Sequence, residues 1–208
     1  NYIYAACSNG LRMYDKTTKQ LLHTNTATGI RKMAIWNNEL LVTRGDIGLS
    51  NNYYQSYSAT DLSFNYELDN LTGPVMSTEG IAVYGDSCYV AINNSFNFPN
   101  YVGKIGVIYL PTHTYVREFD LGPNGINPDY LAINNDEIYT VNNRDFTNAS
   151  ITKYNISNGS ISTTDLVVSS GCGTSVYTSN EILFQVMGEQ TLKKFNTNSL
   201  ATYDSLMI

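Results

Sequence analysis

The side chains that could carry acid–base or metal chemistry are few in this sequence and lie far apart. It has two histidines, His23 and His113, and three cysteines, Cys7, Cys88 and Cys172, with no C-x-x-C pair. A metal site needs several such ligands at short spacing, which this pattern does not provide. A Ser-His-Asp triad is formally available, but no Gly-x-Ser-x-Gly elbow would present its serine. We therefore predict no catalytic residues, no metal site and no cofactor.

The carboxylates and amides give weaker signals. Four acidic residues fall at predicted strand edges or turns, where turn formation is their ordinary role: Glu79, Asp86, Asp136 and Glu137. Paired carboxylates could serve a glycosidase, but the sequence does not give their separation. Asn142, Asn143 and Asp145 form the densest set of oxygen ligands, yet they hold few carboxylates for a strong calcium site.

Composition limits the classes of partner. The chain has 208 residues, of which 14% are charged, and a formal net charge of −6. Without a basic stripe, nucleic acid and anionic membrane surfaces are unlikely partners on electrostatic grounds. The polar residues are mainly Asn, Ser, Thr and Tyr, which favours an extracellular or cell-surface location, with the periplasm as an alternative. No signal peptide or apolar transmembrane run is visible.

The cysteines fit structural roles. Cys7 and Cys88 lie in apolar strand patterns, which predicts buried free thiols. Cys172 lies in a Gly-Cys-Gly turn, where a disulfide depends on geometry that spacing does not supply.

A repeated four-strand unit dominates the sequence. Its clearest copy runs from Asn127 to Ser170, with predicted strands A to D at Tyr130–Ile133, Ile138–Val141, Ile151–Tyr154 and Ile161–Val168. The same order recurs in units of approximately 1–29, 30–72, 73–126, 127–170 and 171–208. Each strand C contains an aromatic residue, at intervals of 41 to 52 residues: Tyr14, Tyr57, Tyr109, Tyr154 and Phe195.

This period predicts an all-β fold, namely a β-propeller of four-stranded antiparallel blades in a single domain over residues 1–208. A β-sandwich also has many short strands, but it would not repeat one internal order five times. Residues 30–35 are interpreted mainly as a linker into strand A. The first strand, Tyr2–Ala6, matches strand B, so we expect about five blades of a larger, seven- or eight-bladed ring.

The unit from Asn127 to Ser170 resembles the YVTN-type repeats of surface-layer and YncE-like propellers. The resemblance rests on Pro128, the stretch Ile138-Tyr-Thr-Val-Asn142, and Tyr154-Asn155. Tyr89-Val-Ala-Ile-Asn93 echoes the motif, whereas the second unit departs from it at Thr43-Arg44. It implies a fold more firmly than a function.

Candidate binding residues lie in the long loops. In a propeller, the loops from B to C and from D to the next A share one face, and loops on a rigid scaffold often carry binding. Aromatic residues mixed with Asn and Arg suit a protein or glycan partner. The predicted binding residues are Arg44, Asp46, Tyr53, Tyr54, Phe96, Phe98, Tyr101, Asn142, Arg144 and Asp145. The alternative is that these aromatics pack onto the blades.

The leading functional hypothesis is a non-catalytic binding or scaffold propeller in a cell-envelope complex. It would engage a protein partner or an extracellular polymer without inserting into the membrane, and a lipid anchor on a missing N-terminal segment could hold it there. The rival is a lactonase-like or glycoside-cleaving propeller with charged residues in its central channel. Glu79 and Asp129, just before two predicted strands A, are a poor set for hydrolysis. A purely structural surface-layer unit is a third hypothesis.

Overall fold

The regular secondary structure of the described residues is almost entirely short β-strands. The structure, a computed structural model, describes residues 2–45 and 52–207, apart from the side chains of Cys172 and Gly173. Two compact units are distinguished by their internal contacts. Unit 1 comprises Asn1–Val90 and Val107–Arg117, and unit 2 comprises Ala91–Gly106 and Glu118–Ile208.

The strands form five antiparallel sheets that follow chain order. The first sheet has three strands, β1 (Tyr2–Cys7), β2 (Gly10–Asp15) and β3 (Leu21–Asn25). The second has β4 (Ile30–Trp36), β5 (Glu39–Arg44), β6 (Tyr54–Ser58) and β7 (Phe64–Leu68). The third has β8 (Thr78–Tyr84), β9 (Ser87–Ile92), β10 (Lys104–Tyr109) and β11 (Thr114–Asp120), with a 3-10 turn at Leu110–Thr112.

The last two sheets repeat the same order. The fourth has β12 (Pro128–Asn134), β13 (Glu137–Asn142), β14 (Ser150–Asn155) and β15 (Ile161–Asp165). The fifth has β16 (Ser170–Thr178), β17 (Glu181–Val186), β18 (Thr191–Asn196) and β19 (Ala201–Met207). Among the described residues, no helix has the length and apolar character needed to cross a membrane.

The predicted four-strand order is confirmed in sheets two to five, and the first sheet holds strands B, C and D. Three interpretations of the sequence were wrong. Residues 171–174 belong to strand β16, so Cys172 lies in a strand and not in a turn. Residues 30–35 all belong to β4 and are not a linker. Strand β15 ends at Asp165, before the predicted Val168, because Val167 has a left-handed φ of 58° that breaks the extended backbone.

The register is the same in each sheet for which the pairing of strands B and C is described. The aromatic of strand C lies opposite an aliphatic residue of strand B, in the pairs Ile3–Tyr14, Leu40–Tyr57, Ile138–Tyr154 and Ile182–Phe195. Because side chains alternate across a strand, this register places corresponding residues on corresponding faces. It therefore allows sheet positions to be compared one by one.

In each unit, one pair of neighbouring sheets buries its apolar faces against each other. In unit 1 one core cluster joins the first two sheets and contains Leu11, Met13, Leu40, Val42, Tyr57 and Leu62. In unit 2 another joins the last two sheets and includes Tyr139, Val141, Ile151, Ile182, Phe184 and Phe195. A single four-stranded sheet cannot cover both its faces, so stacking is what makes each sheet stable.

The two described cysteine side chains differ. Cys88 is fully buried, as predicted, and burial strongly raises the pKa of its thiol. Cys7 is also a free thiol, but it is only half-buried and not fully buried as expected. It is the last residue of β1, which pairs only with β2 within the described sheet, so one side of this strand stays more open.

Candidate functional site

Two loops in unit 2 follow corresponding strands and have corresponding anchors. They span residues 93–103 after β9 and 143–149 after β13. The buried Asn93 amide donates to the Pro128 carbonyl (3.2 Å), and its oxygen accepts from the Ser95 N–H (2.8 Å). The buried Asn143 amide donates to Asp129 Oδ2 (3.0 Å), and its oxygen accepts from Ser170 Oγ. These satisfied amides fix the base of each loop.

Four aromatic residues converge on these loops, and we call them the aromatic loop cluster: Phe96, Phe98, Tyr101 and Phe146. The rings of Phe96 and Phe146 have centroids 5.2 Å apart, and Tyr101 lies 6.1 Å from Phe146. Phe98 contacts Tyr101 edge-on at 6.0 Å. These separations are typical of favourable aromatic pairs. The cluster therefore joins both loops into one surface.

The backbone of the two loops is strained where the aromatics project. Phe96 has a φ of 58° and Phe146 a φ of 66°, both in the left-handed region that bulky residues avoid. Each such residue costs on the order of 1–3 kcal/mol, and such strain is concentrated at functional sites. Both rings are only half-buried, so core packing is a weak explanation for this cost.

Phe98 is the most exposed member of the cluster, at 77% of its full accessible surface. A pocket of about 260 Å³ lies beside Tyr101, with Lys104, Asp120 and Ile126 in its wall. Lys104 Nζ donates to Glu118 Oε1 at 2.5 Å. An exposed aromatic next to a pocket large enough for one side chain is an arrangement that suits a protein partner.

The polar residues of the second loop hold its shape. Asp145 accepts from the Thr147 hydroxyl (2.8 Å) and from the Thr147 N–H (3.2 Å). These hydrogen bonds, the hydroxyl first, lower the pKa of the Asp145 carboxyl and keep it ionised. Arg144 Nη1 donates to Asp165 Oδ1 at 2.9 Å, which ties the loop to the end of β15.

The structure brings together five of the predicted binding residues in unit 2: Phe96, Phe98, Tyr101, Arg144 and Asp145. The sixth, Asn142, is fully buried inside its sheet. Its amide donates to Ser150 Oγ (3.0 Å) and Thr152 Oγ1 (2.9 Å), and its oxygen accepts from Thr140. Asn142 therefore stabilises strand pairing and is not available to a ligand.

The predicted residues of unit 1 do not form a surface. Tyr53, Tyr54 and Arg44 are all buried, so the alternative of packing onto the blades describes them better than binding. The Arg44 guanidinium donates from Nε to the Thr28 carbonyl (2.9 Å) and from Nη1 to the Asn52 carbonyl (3.0 Å). Burial strongly raises the pKa of the Tyr54 hydroxyl. Asp46 lies outside the described residues.

Sequence reasoning missed Phe146. The signal that would have identified it is its position, since it stands 50 residues after Phe96 at the corresponding place in the next repeat. Strands β9 and β13 begin at Ser87 and Glu137, the same distance apart.

No calcium or catalytic metal site emerges from the described part of the chain. Within residues 2–45 and 52–207, no three His, Cys, Asp or Glu side chains lie together in a way that could hold a metal ion. The three residues considered for calcium lie in different surroundings. The Asn142 and Asn143 amide oxygens accept hydrogen bonds inside the protein, whereas Asp145 lies in an exposed turn.

Charged residues do occupy the start of strands β4 and β8, which are strands A of their repeats, where the rival hydrolase hypothesis would place a site. In unit 1, Arg31 Nε lies 2.9 and 2.7 Å from the two carboxylate oxygens of Glu79. Glu79 is buried, and burial raises the pKa of its carboxyl more than Arg31 lowers it. The carboxylate is thus engaged by a guanidinium, an arrangement typical of structural ion pairs.

Replacing Arg31 by methionine is expected to destabilise the protein by about 1–3 kcal/mol at neutral pH, less than for a fully buried pair because Arg31 is partly exposed. Because the pKa of the Glu79 carboxyl is raised in the folded protein, Glu79 favours folding most at low pH, and this contribution is lost as the pH rises. Removing Arg31 raises the pKa of Glu79 further. The loss of stability caused by Arg31→Met should therefore be smaller near pH ~4, where Glu79 is largely protonated in the folded form of both proteins. Urea unfolding of both proteins at each pH measures this, with Arg12→Met as the control, because Arg12 Nη2 donates to the neutral amide oxygen of Asn9 (3.3 Å). An equal loss at both pH values would contradict it.

Comparisons with known proteins bear on the fold. No protein-family model matches the sequence, and no curated protein sequence matches it. The structure is similar to BamB from Moraxella catarrhalis, with a TM-score of 0.61 at 9% identity over 99% of this chain and 60% of that one. It is also similar to the Cps50 (Swd1) β-propeller domain from Myceliophteria thermophila, with a TM-score of 0.73 at 12% identity over 99% of this chain and 69% of that one.

The fold is that of a β-propeller. A chain of a nidogen/laminin complex is a further neighbour, with a TM-score of 0.71 at 11% identity over 100% of this chain and 75% of that one. The chain spans about 60% of the length of the BamB chain. At these identities the likeness concerns the propeller fold, and the aromatic loop cluster has to be interpreted from its own residues.

Proposed function

We propose that this propeller is a non-catalytic binding module, outside the cell or at its surface, that holds a protein partner through the aromatic loop cluster. One observation carries the proposal. Phe96 and Phe146, at corresponding positions of successive repeats, adopt left-handed backbone conformations and leave their rings half-exposed beside Phe98. Packing alone would give these half-exposed rings little stabilisation to offset the free-energy cost of the strained backbone.

Three further features support a protein partner. Aromatic residues and arginine are enriched among residues that dominate binding energy, and this surface holds four aromatics and Arg144. The loops are anchored by buried amides, so little ordering cost is expected on binding. One neighbour in the structural comparison belongs to a complex, of nidogen with laminin, so this fold is compatible with assembly.

The location rests on composition. The low share of charged residues and the many Asn, Ser, Thr and Tyr residues support an exported protein, for which a cell-envelope complex is the proposed setting. A lipid anchor outside the given sequence remains part of this proposal.

The proposal is tested by parallel affinity capture from membrane extracts of the source organism. The full-length protein is compared with a Phe98→Ser, Phe146→Ser double variant and with Ile161→Ser. Ile161 lies at the start of β15, opposite Tyr154 and at the far end of β14 from the second loop, so it is a control outside the cluster.

The expected result is one stoichiometric protein that the wild type and Ile161→Ser retain and the double variant loses. Equal retention by all three proteins would contradict a role for the cluster. Retention of a polysaccharide without any protein would instead support the extracellular-polymer alternative. Turnover of lactones or glycosides that survives in the double variant would support the rival hydrolase.

A further inference from the structure

An open cleft in unit 1 has side chains that the proposed function does not use. Its volume is about 670 Å³, within the range of small-ligand sites. Strand β5 contributes Glu39, strand β7 contributes Phe64, Asn65 and Tyr66, and the turn after the 3-10 segment contributes His113. The cleft therefore combines one carboxylate, the two amides of Asn38 and Asn65, an imidazole and two aromatic rings.

The side chains that contact the Glu39 carboxylate differ from those that contact Glu137, the corresponding residue of unit 2. There, Glu137 also begins its strand and forms an ion pair with Lys153. The register places Ser56 where Lys153 stands, since Tyr57 and Tyr154 correspond. Ser56 Oγ donates to Glu39 Oε2 at 2.6 Å, and Asn65 donates to Ser56 Oγ at 3.2 Å. A neutral hydroxyl thus replaces the lysine.

The second oxygen of Glu39 remains at the cleft. Glu39 Oε1 lies 3.4 Å from His113 Nε2, and the Glu39 and His113 side chains are 19% and 43% exposed. A carboxylate oxygen accepts more than one hydrogen bond, so Oε1 can also accept from the hydroxyl of a ligand. The serine and asparagine hold the carboxylate in place for this.

Aromatic surfaces line the same cleft. The His113 ring stacks on Tyr66 at 3.9 Å with an interplanar angle of 17°. Phe64 is 52% exposed, and it stands opposite Tyr57 at the first position of the outer strand. The corresponding residues are Leu21, Ile161 and Thr202, none of them aromatic. An exposed phenyl ring is thus particular to this repeat among those whose pairing is described.

We propose that this cleft binds a neutral saccharide residue. A pyranose ring has an apolar C–H face that suits the exposed Phe64 ring, and hydroxyls at its edge that suit Glu39, His113 and Asn38. An anionic ligand is disfavoured because it would meet the Glu39 carboxylate. This site lies within unit 1 and does not depend on the aromatic loop cluster of unit 2.

The test uses ligand-detected saturation-transfer NMR on the full chain with four separate probes, the methyl α-glycosides of glucose, galactose, mannose and N-acetylglucosamine. We expect transfer to the ring protons of at least one probe at millimolar concentration.

Three variants test the residues of the cleft. Phe64→Ala should reduce the transfer by about tenfold, as for loss of a main anchoring residue. Glu39→Gln should weaken it while retaining the shape of the side chain. Ile161→Ala, at the corresponding position in unit 2, should leave it unchanged.

Three results would overturn the proposal. The first is that no saturation is transferred to any of the four glycosides. The second is that Phe64→Ala transfers as much saturation to the probe as the wild type does. The third is that Ile161→Ala loses as much transfer as Phe64→Ala does. Thermal unfolding of each variant identifies any that fails to fold, and Glu39→Gln then provides the decisive comparison. A loss of partner capture in the loop-cluster experiment with saccharide binding intact would affect only the proposed function.

Discussion

Phe195→Ala is expected to lower the free energy of unfolding by about 3–5 kcal/mol, the range for deleting a fully buried aromatic side chain. Phe195 is fully buried in the core cluster that joins the last two sheets, where Tyr139, Ile182 and Phe184 surround the same region. Its removal both loses apolar burial and leaves a cavity that neighbouring strands cannot readily fill.

The matched control is Tyr109→Ala. Tyr109 is the aromatic predicted for strand C of the third repeat, but it is 39% exposed and lies one residue after Ile108, which corresponds to Phe195. We expect a loss of roughly 1 kcal/mol or less, as for most surface substitutions. Equilibrium denaturation in urea with a fluorescence readout compares the two variants. Similar losses for Phe195→Ala and Tyr109→Ala would show that the two positions are buried alike, contrary to the structure.

The second large effect concerns binding. Phe98→Ala should reduce affinity for the captured protein partner by about tenfold or more, as expected for a binding hot spot. The same change should alter the free energy of unfolding by only about 0.5 kcal/mol, because 77% of the side chain is exposed. Isothermal titration calorimetry and urea unfolding on the same preparation separate the two quantities.

Ile161→Ala is again the control, since its side chain is also exposed but lies at the other end of its sheet from the cluster. Its affinity should match that of the wild type. If Phe98→Ala unfolded more readily but bound normally, the ring would be a structural residue and the cluster would lose its main support.

The repeat was predictable because hydrophobic alternation and turn residues act locally. Each strand B, strand C and intervening turn lies within a short stretch of sequence, so the order of strands follows from residue types alone. The recurring aromatic of strand C correctly indicated register, as the Ile138–Tyr154 and Ile182–Phe195 pairs show. In the third repeat the aromatic was misleading, because the position corresponding to Phe195 is the buried Ile108, and Tyr109 is the next residue, on the exposed side of the strand.

The loops were less predictable because residue type does not set the direction of a side chain. Tyr54 and Phe98 both belong to long loop regions, yet Tyr54 is buried at the start of β6 and Phe98 projects outward. Asn142 resembled a loop ligand, but three side-chain hydrogen bonds engage it within its sheet. Phe146 was missed because loops were compared by composition and not by position in the repeat.

The cleft in unit 1 depended on contacts across long sequence separations. Glu39 and His113 lie in different repeats, and the sequence identified neither as a binding residue. His113 follows the 3-10 turn Leu110–Thr112. Its stacking on Tyr66 was not predictable, because strand order does not define how neighbouring sheets approach each other.

Site-specific photo-crosslinking tests the binding role of the aromatic loop cluster most directly. A photoreactive phenylalanine analogue is placed at position 98 of the full-length protein in its native cells, and at position 161 in a parallel strain. We predict one dominant protein adduct from position 98 that is absent from position 161. No protein adduct from position 98, or the same adducts from both positions, would contradict the account.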